Sequence, residues 1–171
     1  MIPVLVVTGP VGVGKSAVLA EADRLLVDAD VPHATVVLAE IARCWASTSN
    51  TASTQLMYRN LGALWSNFAA AGATRLLIEQ ILAEDSSQQL RYLREVIPDA
   101  HVTVVRLNAP ISLIEARIRR REPNPEDELS AARWLAPRMD LWKIEDVVVE
   151  NGDRPPSDVA SEILHAVGWL R

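Results

Sequence analysis

The chain is poor in cysteine, lysine and phenyl rings. Of its 171 residues one is Cys, two are Lys, one is Phe and two are Tyr. A single thiol, Cys44, excludes an internal disulfide and leaves too few thiolates for a zinc knuckle. With no base motif beside it, Cys44 is expected to act as a small buried apolar residue. No apolar run is long enough to span a bilayer, so no membrane partner is expected. No basic segment precedes the first apolar run; a secretory leader is not expected, and the cytoplasm is the expected compartment. Positive charge is not in excess either. A net charge of −5 disfavours a bulk nucleic-acid binder, although a local cationic cleft remains compatible with it. His33, His101 and His165 are scattered without metal-ligand spacing.

What is present is globular. Apolar residues make up 49% and charged residues 23% of the chain, enough apolar surface to offset chain entropy. The length fits one domain over 1–171. Two patterns alternate along it. Apolar, largely β-branched runs at 3–8, 34–38, 74–78, 102–107 and 147–150 read as strands. Helical spacing fills 15–28, 56–71, 88–96, 111–121, 129–143 and 156–167, with a short helix at 40–45 and a polar loop at 47–53. Ser86 and Ser87 are the expected cap of the helix at 88–96, and Pro137 is expected to bend the one at 129–143. Strands separated by helices predict an α/β fold: three layers, a five-stranded mostly parallel sheet, and helices on both faces. Ligands in such sheets sit outside the carboxyl ends of the strands.

The most informative segment follows the first strand. Gly9-Pro10-Val11-Gly12-Val13-Gly14-Lys15-Ser16 matches G-x-x-x-x-G-K-[ST] in full, between a buried-type strand and an amphipathic helix. Glycines let successive backbone N–H groups point at one anion, and the helix N-terminus adds partial positive charge. Lys15 supplies a compact cation for the outer phosphates, and the Ser16 hydroxyl can ligate magnesium. Lysine is rare here: 15 of the 17 basic residues are Arg. A lysine in a chain that otherwise chooses arginine points to a chemical need. Gly9, Pro10, Val11, Gly12, Val13, Gly14, Lys15, Ser16 and Ala17 are therefore the expected nucleotide contacts. Neither N-K-x-D nor D-x-x-G occurs, which disfavours a switch GTPase.

The chain resembles the P-loop small-molecule kinases, the group of nucleoside, shikimate, gluconate and adenylylsulfate kinases. The resemblance rests on residues 9–16, on the run 102–110 with the Arg-rich stretch 114–122, and on the closing segment 147–154. It implies a P-loop NTPase fold with a small helical lid at about 117–138, ATP with Mg2+, and phosphate transfer to a small-molecule acceptor. Arg117, Arg119, Arg120 and Arg121 crowd one helix end, with 117, 120 and 121 on one face. Guanidinium groups stabilise charge spread over a transferred phosphoryl group, so Arg117 and Arg121 are the lid candidates. The resemblance also implies that Asn151 and Asp153 flank the base.

The acids depart from the family pattern. Such kinases usually carry an Asp at the end of the second strand; the corresponding positions here are Val37 and Ala39. Glu40, one residue beyond, is the candidate substitute for organising the acceptor. The third strand ends Leu76-Leu77-Ile78-Glu79, an apolar run closed by an acid, and Glu79 is the candidate for holding magnesium with Ser16. Two readings follow. One is an ATP-dependent kinase acting on a small metabolite, with Lys15, Glu40, Arg117 and Arg121 carrying the chemistry. The other is a nucleotide-binding regulatory protein with a degenerate catalytic centre. A monomer or a homodimer fits either.

Overall fold

The first apolar run forms β1 (Ile2–Thr8), and its side chains divide between two faces. Leu5 and Val7 enter one buried cluster, Val4 and Val6 the other. A strand buried on both faces belongs in the middle of a sheet. That is where β1 lies. With β2 (Ala34–Val37), β3 (Leu76–Glu79), β4 (Ala100–Asn108) and β5 (Val147–Glu150) the order is β2-β3-β1-β4-β5. Every pairing is parallel. The computed structural model describes residues 1–44 and 50–170.

Parallel neighbours need crossovers, and among the described residues α1 (Lys15–Asp28), α2 (Asn50–Ala70), α3 (Ser86–Val96), α4 (Ile111–Arg121) and α5 (Glu126–Trp142) supply them, with α6 (Pro156–Ala166) following the last strand. α1, α4 and α6 cover one face with Leu129 and Ala132 of α5. α2 and α3 cover the other through Tyr58, Leu61, Trp65 and Leu93. The result is the expected three-layer α/β arrangement, with a sheet that is wholly parallel. Among the described residues, no helix is long and apolar enough to cross a membrane.

The register aligns the ends that matter. Val37, Glu79 and Val7 are successive partners across β2, β3 and β1. Two bonds fix the turn after β3: Gln80 N donates to Val7 O, and Leu82 N donates to the buried Thr8 hydroxyl.

Local differences from the sequence reading have local causes. β3 begins at Leu76 rather than at 74, because the Thr74 N–H and hydroxyl both donate to Pro32 O. The expected helix at 40–45 is one 3-10 turn, Glu40–Ala42, so Cys44 is exposed rather than buried. α2 begins at Asn50 and absorbs the described end of the expected polar loop; 45–49 lie outside the described residues. Asp85, not a serine, precedes α3; its side chain makes no cap bond, and Ser86 is buried in the helix. α5 starts early, at Glu126, since Glu126, Asp127 and Glu128 in its first turn favour the helix dipole. It continues past Pro137, and Lys143 closes it in a left-handed conformation, φ +48°.

α2 and α3 approach closely at Gly62, where an added Cβ would lie 2.9 Å from Val96 Cβ. Alanine gains about 1 kcal/mol in helix propensity over glycine, while overpacking costs about 1–3 kcal/mol. Gly62→Ala is therefore expected to lower the free energy of unfolding in urea; a stabilised variant would contradict the close contact.

Candidate active site

The loop between β1 and α1 is held from outside itself. Val13 is fully buried, and its carbonyl accepts from Asn151 Nδ2 at 2.7 Å and from Arg117 Nη1 at 3.0 Å. Arg117 also donates to Asn151 O at 3.0 Å and Gly152 O at 2.5 Å. One guanidinium thus ties the loop, α4 and the turn after β5 together. Close approach demands glycine at two points. Gly12 has φ +78° and would meet the Ile118 side chain at 2.5 Å. Gly14 has φ +107° and would meet Asn151 Nδ2 at 2.6 Å. A Cβ at either position would collide with the elements that shape the loop.

Lys15 begins α1 and is 7% exposed. Its Nζ donates to Gly9 O and Pro10 O, each at 3.1 Å. An ammonium has three donors, so one remains for an anion. Burial pushes the Lys15 ammonium down to about 8; Glu79 and Glu128 oppose that shift and Arg121 adds to it. Ser16 Oγ donates to Glu79 Oε1 at 3.1 Å, while Glu79 Oε2 is buried without a hydrogen-bond partner. A buried carboxylate oxygen left unpaired is costly unless a cation or donor meets it. A hydroxyl beside a carboxylate is a hard oxygen pair, of the kind that holds Mg2+ when substrate phosphates supply further ligands. The residues present therefore fit the metal that the loop implies.

These groups face a cavity of about 390 Å3. Gly12, Gly14, Lys15, Ser16 and Ala17 form its loop side, Glu79 and Arg121 its charged rim, and Val37, Ala39, Gln80 and Ile81 its far wall. Arg121 Nε donates to Glu122 Oε1 at 2.8 Å, and its Nη2 to Glu128 Oε2 at 2.5 Å. Desolvation, the largest single effect, lowers the Arg121 guanidinium, but the hydrogen bonds and charges of Glu122 and Glu128 together outweigh it and raise the group above its ordinary value. A second cavity of about 550 Å3 adjoins the first across Gly12, Gly14, Ala17 and Arg121. Arg117, Arg120, Arg154 and Asn151 line its other side.

The sequence-predicted residues divide accordingly. Lys15, Ser16, Glu79 and Arg121 share the first cavity. Arg117 and Asn151 line the second, with the polar groups named above turned to the loop. Glu40 lies outside both: it is exposed on the 3-10 turn and pairs with Arg43 at 2.8 Å. Asp153 is exposed and lines neither cavity. Val37 and Ala39, where the family acids were sought, do face the cavity. Glu79 is the one carboxylate among the described lining residues there. Sequence reasoning missed Gln80, which follows Glu79, and the loop-clamping roles of Arg117 and Asn151; the clamp joins residues 104 and 138 positions apart, beyond any local pattern.

No family model matches the chain, and no curated protein sequence does. Solved structures do. APS kinase CysC of Mycobacterium tuberculosis, in complex with AMPPNP and APS, superposes with a TM-score of 0.68 at 18% identity, over 97% of each chain. Shikimate kinase of Acinetobacter baumannii, in complex with shikimate, gives 0.61 at 17% identity, over 99% of this chain and 94% of its own. Shikimate kinase of Aquifex aeolicus gives 0.56 at 16% identity, over 97% and 96%. With the loop and sheet order already described, the chain has the fold of the P-loop small-molecule kinases.

Proposed function

We propose that the protein binds ATP with Mg2+ across the two adjoining cavities and transfers the γ-phosphoryl group to a small-molecule hydroxyl. The observation that carries this reading is the Glu79 carboxylate. It sits at a strand end beside Ser16 and the buried Lys15, with one oxygen satisfied by Ser16 and the other unpartnered. That combination serves a metal and a phosphate chain better than it serves stability. Lys15 exchanges its loop carbonyls for phosphate oxygens. Ser16 and Glu79 hold the metal, which when bound neutralises charge on the outer phosphates. Arg121 meets the transferred group from the end of α4, and the adjoining segment through α5 serves as the lid. The acceptor oxygen forms a bond to the γ-phosphorus as the bond to the β-phosphate bridging oxygen breaks. The hydroxyl proton passes to an oxygen of the transferred group, and ADP leaves. Asn151, Arg117 and the glycines act by shaping the loop. The protein works in the cytoplasm as a monomer or homodimer, with no nucleic acid.

A second reading, a nucleotide-binding regulatory protein without transfer, is favoured by one observation: Val37 and Ala39 present no carboxylate to the cavity. Turnover separates the two. Calorimetric titration is expected to show ATP binding that Lys15→Ala weakens at least about tenfold, and magnesium-dependent tightening that Glu79→Gln removes. ADP release stimulated by a metabolite then supports the kinase; tight ATP binding with no stimulated release supports the regulator.

Proton linkage gives a separate check. Lys15 must be charged to meet phosphate, and its free-state value is about 8. A bound anion raises it, so binding takes up a proton above that pH. ATP affinity is expected to fall as pH rises from about 8 toward 9.5, by up to about tenfold per unit, and Lys15→Ala is expected to flatten the profile. A wild-type profile flat over that window would contradict the role of Lys15.

A further inference from the structure

The far wall of the first cavity carries a residue whose orientation is dictated from behind. Gln89 of α3 is buried, and its Nε2 donates to Asp85 Oδ1 at 2.7 Å. An ionised carboxylate only accepts, so Gln89 must present its amino group there. Its Oε1 therefore faces the opposite way, where it accepts from the buried Tyr58 hydroxyl at 3.3 Å and from Gln80 Nε2 at 2.9 Å. Burial, and after it the Asp85 charge, push the Tyr58 phenol above its ordinary range, so the hydroxyl keeps the proton it donates. Gln80 is oriented in turn. One of its two Nε2 hydrogens is held by Gln89, which turns the carbonyl Oε1 away from Gln89 and makes it the acceptor that Gln80 can offer to the cavity it lines.

The surroundings state what that ligand can be. Beside Gln80 the wall is Val37, Ala39 and Ile81. Glu79 already contributes negative charge, and Arg121 is engaged by Glu122 and Glu128. Among the described residues that line the cavity, an acidic acceptor would find no cation beyond Lys15, which serves the phosphates, and Arg121, which is already paired. A neutral one would find apolar walls and one fixed hydrogen-bond acceptor.

We propose that the acceptor is an uncharged, hydroxyl-bearing small molecule, whose donor group is received by Gln80 Oε1 and whose apolar face packs on Val37, Ala39 and Ile81. Gln80 is the binding residue; Gln89, set by Asp85, is its positioning residue. This rests on the phosphotransfer reading above, and the carboxamide relay itself does not.

The test has two arms. In the first, side-chain amide NMR follows Gln80. Its Nε2 protons are expected to exchange slowly in wild type and fast in Gln89→Leu, with thermal melting confirming that the variant is folded. Free exchange in wild type overturns the relay. In the second, ATP binding is titrated and ADP release is then measured with two panels. One holds nucleosides, sugars and aromatic alcohols; the other holds shikimate, APS and hydroxy-carboxylates. Release driven by the uncharged panel, with Gln80→Leu raising the acceptor KM about tenfold and leaving the ATP KM within about twofold, supports the proposal, as does the same KM rise in Gln89→Leu. Preference for the anionic panel overturns it while leaving the kinase reading standing. ATP binding without release from either panel, or no ATP binding at all, overturns the kinase reading and the acceptor assignment with it.

Discussion

A phosphate-binding loop must hold backbone N–H groups and a buried ammonium in one place before any anion arrives. Here that constraint is met by a single carbonyl, Val13 O, gripped by Asn151 and Arg117 from two other parts of the chain. Side chains also fill the space where a Cβ at Gly12 or Gly14 would lie: Ile118 closes over the first, and Asn151, one of the two that grip Val13 O, over the second. Lys15 depends on the same shape, because its two carbonyl partners, Gly9 and Pro10, belong to that loop. The ion pairs elsewhere have a different standing. Glu115 with Arg119 and Arg133 lies on the surface, where solvent and salt leave such pairs little energy.

The fold was legible because its signals are local and redundant. A double-sided apolar strand such as β1 has to be central, and helical runs between strands force parallel pairing. The loop was legible because its residue types are fixed by chemistry, and the scarcity of lysine made Lys15 stand out. Less could be read where long-range geometry decides. Glu40 and Glu79 look alike in sequence, each an acid after an apolar run. Only the turn after β2 separates them: Ala39 faces the cavity and Glu40 faces Arg43. Arg117 and Arg121 likewise share a helix face, yet one is consumed by three backbone carbonyls while the other reaches the cavity. Boundaries failed where an end is set by a capping or tertiary bond, as at Thr74, or by a charge pattern, as at Glu126.

Two groups of polar side chains stand at opposite sides of the cavity, and they differ in kind. On the loop side they are charged: Lys15 and the Glu79 carboxylate. On the far wall they are neutral, in the Tyr58, Gln89 and Gln80 chain, with Asp85 at the far end from the cavity. A charged network fixes an ion by attraction over several ångströms. A neutral one acts only at hydrogen-bond range and so discriminates by shape and by donor position. On the proposed function, the two networks would divide recognition between them.

The Arg117 clamp also limits how the molecule can move. Three of its hydrogen bonds bind α4 to the loop and to the turn after β5, so these parts shift as one body or not at all. A closing motion that carried the start of the Arg-rich stretch with it would tear the loop apart. Any hinge for the proposed lid must therefore lie beyond Arg117, and the short connection between α4 and α5, where Pro123 and Pro125 interrupt the helices, is the first place the chain can bend. Arg121 is bridged across that connection to Glu128, so the angle of α5 and the reach of its guanidinium would be one mechanical variable in such a motion.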